Sequence, residues 1–238
     1  MKVVAMLRVK NEARWIRKTL DSLLPLANTV LVMDDGSTDE TAHLCSAYDR
    51  VTVLPSPFAD QPIDEVRDKN WLLAAAGRED PTWVICIDGD EALMEADIHL
   101  LNELMATHAA PAYSLRVLYL WDDEQHMRVD GIYGRFTRPS VFRWKPGTMF
   151  HGTGQGGNFH CSNIPREMHT DARKVDVRLL HYGYMHKADR LRKYEWYNRI
   201  DPQNDAEDCY RHMVLGDMPH LPANMGCKWA GPLEVQAL

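Results

Sequence analysis

The chain has 238 residues, of which 45% are hydrophobic and 26% are charged, so it has enough apolar material for the core of one large domain. Lys and Arg number 27 against 34 Asp and Glu, and the formal charge of −7 argues against a broad surface for nucleic acid or an anionic membrane. No apolar run reaches the roughly 18 residues of a membrane-spanning helix, and no signal-peptide pattern is present. Five scattered cysteines, without a Cys-x-x-Cys pair, indicate reduced thiols in a cytoplasmic protein.

The first ninety residues alternate between apolar runs of strand length and helical patterns. Strands are predicted at 3–7, 29–33, 51–54 and 83–87, and helices at 13–24, 37–48 and 64–76. Ser37 and Glu40 have the spacing of a capping box, which predicts that the second helix begins at Ser37. Strands that are apolar on both faces and alternate with helices are typical of an α/β protein with a mainly parallel sheet.

The second half has a different pattern. A helix is predicted at 95–107 and a charged helix at 187–200, while strands are predicted at 112–121, 140–144 and 175–182. No helix separates the first two of these strands, so the sheet should be mixed in this half. The segment 147–163 is rich in Gly, His and Asn and is predicted as a long loop, either one that closes over substrates or a plain connection. The sequence gives no assignment from residue 205 onward.

Acidic residues directly follow two of the predicted strands. Asp34 and Asp35 follow the second strand, and Asp88, Asp90 and Glu91 follow the fourth. Ligands of open α/β sheets bind beyond the carboxyl ends of the strands, so both clusters are expected on one rim. An Asp-x-Asp pair offers hard oxygen ligands to Mg²⁺ or Mn²⁺. The alternative is that these residues only form turns or cap helices.

Five segments, in this order, resemble the motifs of family 2 glycosyltransferases with the GT-A fold. They are Leu-Arg-Val-Lys-Asn-Glu at 7–12, Met-Asp-Asp-Gly-Ser-Thr-Asp at 33–39, Arg-Asp-Lys-Asn at 67–70, Ile-Asp-Gly-Asp-Glu at 87–91, and Leu-His-Tyr-Gly-Tyr at 180–184 followed by Lys-Tyr-Glu-Trp-Tyr at 193–197. The resemblance implies a single GT-A domain over 1–238, with a Rossmann-like, mainly parallel central sheet flanked by helices. A nucleotide-sugar-binding half would cover 1–95, and an acceptor-side half with mixed strands would cover 96–238.

The resemblance implies a site for a nucleotide-diphosphate sugar, with UDP as the expected nucleotide. Its residues would be Leu7, Arg8, Glu12, Asp35, Lys69, Asp88 and Gly89. Asp35 would hydrogen-bond the base, and Arg8 and Glu12 would line the same pocket. Lys69 would lie near the donor phosphates, whereas Asn70 would organise the loop.

The resemblance also implies Mn²⁺ or Mg²⁺ as cofactor. Asp90 would ligate the cation directly, Asp88 would reach the ribose or the cation, and His181 would supply a further ligand. His181 could equally be an ordinary histidine at a strand end. The cation would stabilise the charge that grows on the diphosphate leaving group.

An inverting transfer, which the family implies, needs a base for the acceptor hydroxyl. Asp130 is the first candidate because the segment 128–134 resembles a stretch found in relatives, but it could equally be a turn aspartate before Gly131. The other candidate carboxylates are Asp122, Asp123, Glu167 and Asp171. The chain lacks the Glu-Asp pair that many family members carry after the metal motif.

The predicted function is therefore metal-dependent transfer of a sugar to an acceptor hydroxyl on a saccharide, a lipid-linked molecule or another compound. A sugar-phosphate nucleotidyltransferase has a similar sheet, but it needs a Gly-rich loop after the first strand, and residues 7–14 contain no glycine. A catalytically inactive module that binds nucleotide sugars is the non-enzymatic alternative. The presence of both Asp88 and Asp90 argues against it.

Overall fold

A computed structural model of the chain describes residues 1–152, 161–201, 208–218 and 231–238. The chain divides into two compact units: Met1–Leu115 with Arg138–Arg178, and Arg116–Thr137 with Leu179–Leu238. The prediction of one domain with halves that meet near residue 95 stays a prediction.

The regular elements are numbered in chain order. They are β1 (Val3–Val9), α1 (Ile16–Leu23), β2 (Thr29–Asp34), α2 (Thr41–Ser46), β3 (Val51–Pro55), α3 (Glu65–Gly77), β4 (Trp83–Cys86), β5 (Glu91–Leu93), α4 (Ile98–Thr107), β6 (Ala112–Trp121), β7 (Asp123–Arg128), β8 (Thr137–Arg143), β9 (Ala172–His181), α5 (Lys187–Ile200) and β10 (Val235–Ala237). Short 3₁₀ helices lie at Glu95–Asp97, Arg166–Met168 and Asp208–Met213.

The first unit is built on a sheet with the strand order β8-β4-β1-β2-β3. Strand β1 pairs in parallel with β2 and β4, and β2 pairs in parallel with β3, whereas β8 is antiparallel to β4. Every residue of β4 is buried, and so is every residue of β1 except Arg8. These strands are apolar on both faces because both faces are covered. The structure confirms the predicted α/β class and the mainly parallel sheet.

The core of the first unit joins strands to helix α3. Val4 and Met6 of β1, Leu72 of α3 and Phe142 of β8 belong to one buried cluster. Three cysteines in the described ranges, Cys45, Cys86 and Cys161, are buried free thiols.

In the second unit, β7 pairs antiparallel with β6 and β10. Helix α5 contributes Leu191, Tyr194 and Tyr197 to a core around Tyr210 and Met213. The antiparallel strands confirm the prediction of mixed strands in the C-terminal half. None of the helices within the described ranges is long and apolar enough to cross a bilayer.

The predicted strands and helices are present with shifts of a few residues, but one helix start is wrong. Helix α2 begins at Thr41, and its N-cap Glu40 makes no side-chain cap hydrogen bond. The capping box fails because Ser37 Oγ instead accepts a hydrogen bond from Asn11 N at 2.9 Å. In the predicted loop 147–163, residues 147–152 and 161–163 contain neither helix nor strand, and residues 153–160 lie outside the described residues.

Arg190 of α5 organises much of the second unit. Its side chain is only 2% exposed, and its guanidinium binds both carboxylate oxygens of Asp217 at 2.5 and 3.0 Å. It also donates to Asp122 Oδ1 at 2.9 Å and to the carbonyls of Tyr184 and Met185. A buried guanidinium is tolerated only when its donors are satisfied in this way.

We expect Arg190→Met to lower the free energy of unfolding by about 3 kcal/mol, because Asp217 would lose its buried partner. Arg192→Met removes the same charge from the same helix, but that side chain is 62% exposed, so it should change stability by less than about 0.5 kcal/mol. Urea unfolding of both variants measures the difference. Equal stabilities would show that the Arg190 network contributes little.

Candidate active site

The strands β1, β2 and β4 end at one edge of the sheet of the first unit. Val9 is in register with Asp34, and the backbone N–H of Asp35 donates to Val9 O at 2.8 Å. Strand β4 runs parallel to β1 on its other side and leads into Asp88. The parallel pairing therefore brings both acidic clusters to the carboxyl edge of the sheet.

Arg8 lies between two carboxylates at this edge. Its Nη2 donates to Asp35 Oδ2 at 2.5 Å, and its Nε lies 2.9 Å from Asp68 Oδ2. Asp68, on α3, is completely buried and also accepts from Arg67 Nε at 2.8 Å. Burial raises the pKa of Asp68, and the two arginines oppose that rise. The network thus holds Arg8 at a fixed orientation beside Asp35.

One polar atom of each partner in the Arg8–Asp35 pair stays open. Within the described ranges, no group hydrogen-bonds Asp35 Oδ1 or Arg8 Nη1. Neither atom is among the buried polar atoms of those ranges that lack a partner, so both reach solvent. The pair therefore presents a hydrogen-bond acceptor beside a donor.

The loops after β1 and β2 are joined by hydrogen bonds that the sequence did not predict. Asn11 has a left-handed φ of 57°, and its Oδ1 accepts from Thr38 N at 2.8 Å. Its own N–H donates to Ser37 Oγ, and Ala13 N donates to Asp39 Oδ2 at 3.1 Å. Asn tolerates positive φ better than most residues, and this is the signal in the sequence that could have located the contact.

Gly89 is needed for a close approach to β1. A Cβ atom at this position would lie 2.8 Å from Val9 Cγ1 and 3.1 Å from Glu12 Cγ. The Gly89 carbonyl accepts from Thr19 Oγ1 at 2.9 Å, and the Glu12 N–H donates to Thr41 Oγ1 at 2.8 Å. Gly89 and Glu12 therefore lie together at the edge, and their place in a nucleotide pocket stays a prediction.

After β4, three of the four residues 88–91 carry carboxyl groups. Asp90 and Glu91 are buried, whereas the Asp88 side chain is 51% exposed. Arg138 of β8 donates to Asp88 Oδ2 at 2.6 Å and also to Glu91. Burial raises the pKa of Glu91 to about 8, against the lowering effect of Arg138. In the described residues, no group of three or more His, Cys, Asp or Glu is arranged to hold a metal ion.

Lys69 and Leu7 are buried away from solvent. Lys69 Nζ donates to Cys161 O at 2.5 Å and to Asn163 Oδ1 at 2.9 Å, and it lies 3.4 Å from Glu65 Oε2. Burial, the largest single effect, lowers the pKa of Lys69, but Glu65 and the neighbouring acidic groups together outweigh it, so the pKa of Lys69 is raised. This geometry favours an anchoring role for Lys69 over a phosphate contact. The side chain of Leu7 lies in the core.

Asn70 organises the loop, as predicted. Its Nδ2 donates to Phe150 O at 2.9 Å, and its Oδ1 accepts from Phe150 N at 2.8 Å. The two hydrogen bonds connect α3 to the segment that follows β8.

Asp130 is enclosed in the second unit. Its oxygens accept from Arg128 Nε at 2.7 Å and Nη2 at 3.0 Å, and from the backbone N–H groups of Gly231 and Glu234 at 3.0 and 3.2 Å. The Arg128 side chain is itself fully buried. Four donors occupy the two oxygens of this carboxylate and leave no room for an acceptor hydroxyl, so the geometry favours the structural alternative for Asp130.

The remaining predicted residues make contacts of their own. His181 belongs to the second unit, where its ring lies 4.9 Å from that of Tyr119 and 4.6 Å from that of Tyr184. Asp122 pairs with Arg190, Asp123 pairs with His126 at 2.8 Å, and Glu167 and Asp171 are exposed. The metal-ligand role of His181 stays a prediction.

The chain belongs to glycosyl transferase family 2, whose sequence model matches residues 6–162. An uncharacterized protein of Mycobacterium tuberculosis is 31% identical over 214 residues, which are 85% of this chain and 51% of that protein. An uncharacterized glycosyltransferase of Rickettsia prowazekii is 24% identical over 140 residues, which are 58% of this chain and 45% of the relative. The chain thus spans about half the length of these curated relatives.

Among solved structures, residues 1–349 of S. aureus TarS in complex with UDP-GlcNAc are similar, with a TM-score of 0.46 and 18% identity. The similarity covers 60% of this chain and 45% of that one. Family membership confirms the predicted resemblance, and four of its five motifs lie within the matched residues 6–162. Together with the observed sheet it gives the GT-A fold.

We expect Asp130→Asn to lower the free energy of unfolding by about 3 kcal/mol, because the buried Arg128 would lose its charged partner. Asp123→Asn is the matched control. Asp123 is exposed at the start of β7, so this change should alter stability little. Urea unfolding of the two variants distinguishes a structural role of Asp130 from a role as catalytic base. Unchanged stability combined with lost turnover would instead support the role of Asp130 as base.

Proposed function

We propose that this chain transfers a sugar from a nucleotide-diphosphate sugar to an acceptor hydroxyl. The observation that carries the proposal is the charged edge of the first unit. There the Arg8–Asp35 pair and the Asp88–Glu91 segment lie at the carboxyl ends of the parallel strands β1, β2 and β4, inside the region 6–162 that the family model matches. Ligands of such sheets bind at this edge.

The open atoms of the Arg8–Asp35 pair support uracil as the base. Asp35 Oδ1 accepts and Arg8 Nη1 donates, and the uracil edge offers the complement, an N–H flanked by carbonyl oxygens. Charge-assisted hydrogen bonds of this kind are stronger than neutral ones. We therefore propose UDP as the nucleotide of the donor.

The carboxylates after β4 fit a hard divalent cation. Asp88 is half exposed, and within the described residues its Oδ1 takes no hydrogen bond. Asp90 lies two residues on, and oxygen ligands of this kind suit Mg²⁺ and Mn²⁺. We propose that Asp88 and Asp90 hold the cation. A bound cation would supply charge stabilisation for the diphosphate leaving group.

The chemistry on the acceptor side is proposed from the family alone. We propose an inverting transfer, with the acceptor a saccharide, a lipid-linked molecule or another hydroxyl compound. Family membership supports this reaction class. Because the Asp130 carboxylate is saturated by donors, the base is better sought among the exposed candidates Glu167 and Asp171 or at Asp122.

Calorimetric titration with UDP, GDP, CDP and dTDP, each with Mn²⁺ and with EDTA, tests the donor and the cation. We expect UDP to bind more tightly than GDP or CDP, and to bind more tightly with Mn²⁺ than with EDTA. Absence of binding to every nucleotide would contradict the proposal. Binding without turnover on any sugar donor would indicate a module that has lost catalysis.

Asp90→Asn tests the cation ligand. We expect this variant to lose turnover and to weaken Mn²⁺-dependent UDP binding at least tenfold, while UDP binding in EDTA stays unchanged. Asp49→Asn makes the same chemical change at an exposed position and should leave both unchanged. Thermal unfolding confirms that the buried substitution folds. Unchanged activity of Asp90→Asn would exclude Asp90 from the metal site.

A further inference from the structure

Arg138 lies beside the acidic segment because of the register of β8. Strand β8 is antiparallel to β4, with Ile85 opposite Val141. Continuing this register past the end of β4 places Arg138 opposite Asp88. The guanidinium therefore reaches the carboxylates from a neighbouring strand of the same sheet, and it is 19% exposed.

The Arg138 guanidinium hydrogen-bonds two of the three carboxylates. Its Nη1 donates to Asp88 Oδ2 at 2.6 Å, and its Nη2 donates to Glu91 Oε1. The second oxygen of Glu91 accepts from the Asp88 backbone N–H at 3.0 Å. Asp88 is thus held at its backbone and at one carboxylate oxygen, and its other oxygen stays open.

This arrangement already supplies one positive charge to the acidic segment. The acidic segment holds the carboxyl groups of Asp88, Asp90 and Glu91, of which that of Glu91 is completely buried. In the part of the chain that the structure describes, Arg138 is the ion-pair partner of both Asp88 and Glu91. A second cation that approaches Asp88 meets the repulsion of a guanidinium one side chain away.

We propose that Arg138 is a positioning residue that orients Asp88 and, as a resident cation, keeps the affinity of the site for a free divalent cation low. A nucleotide diphosphate brings negative charge that offsets the repulsion, so the cation binds strongly only together with the nucleotide. This inference rests on the proposed function of the same site. Because coupling between two ligands is reciprocal, the cation strengthens nucleotide binding by the same factor.

The test measures Mn²⁺ binding by electron paramagnetic resonance, with and without saturating UDP. In the wild type, UDP should tighten Mn²⁺ binding at least tenfold. Arg138→Gln removes the charge but keeps a hydrogen-bond donor, and it should bind Mn²⁺ alone about tenfold more tightly than the wild type. Arg138→Lys keeps the charge and should bind Mn²⁺ alone within about threefold of the wild type.

Arg143→Gln is the matched control, because it removes the same charge from the other end of β8. It should leave Mn²⁺ affinity unchanged. Weaker or unchanged Mn²⁺ binding by a folded Arg138→Gln variant would overturn the inference, as would wild-type Mn²⁺ binding that UDP does not strengthen. The first result leaves the proposed donor and cation sites unaffected. The second also contradicts the expected Mn²⁺ dependence of UDP binding, and it leaves only metal-independent nucleotide binding in place. Failure of the wild type to bind Mn²⁺ even with UDP would overturn the metal assignment, and the inference with it.

Discussion

A carboxylate that leaves bulk water must be paired with donors or a positive charge, and most of this structure depends on how that requirement is met. Arginines meet it repeatedly: Arg8 holds Asp35 and Asp68, Arg138 holds Asp88 and Glu91, Arg128 holds Asp130, and Arg190 holds Asp122 and Asp217. Each guanidinium offers several donors in one plane, so one side chain serves two carboxylates or both oxygens of one. An acidic chain can therefore bury many carboxylates without repelling itself.

The same pairing separates carboxylates that can bind a ligand from those that cannot. Asp130 accepts four hydrogen bonds and has no capacity left, whereas Asp35 and Asp88 each give one oxygen to an arginine and keep one open. The distinction lies in the number of donors around each oxygen, and residue type alone does not reveal it. It favours a structural role for Asp130, and it leaves an open oxygen on each of the other two at the edge of the sheet.

The sequence predicted the edge but not its partners. Apolar runs that end in Asp35 and Asp88 were sufficient to place both on one rim, because parallel strands share their carboxyl edge. The family resemblance placed Arg8 in the same pocket as Asp35, but it did not predict the ion pair between these residues. Arg138, 50 residues after Asp88, was not predicted at the edge at all, because no local pattern connects such positions. The predicted capping box at Ser37 is absent for a related reason. The Ser37 hydroxyl accepts a hydrogen bond from the backbone of Asn11, which lies in another loop. Strand β7 went unpredicted because it is mostly exposed and polar.

The reciprocal bonds between Asn11 and residues 37–39 have a consequence for how this protein can change over evolution. Surface loops usually tolerate insertions and deletions, because few contacts depend on their length. Here the backbone of each loop hydrogen-bonds side chains of the other, so one added residue in either loop would break these hydrogen bonds. Length variation is therefore excluded from these two loops.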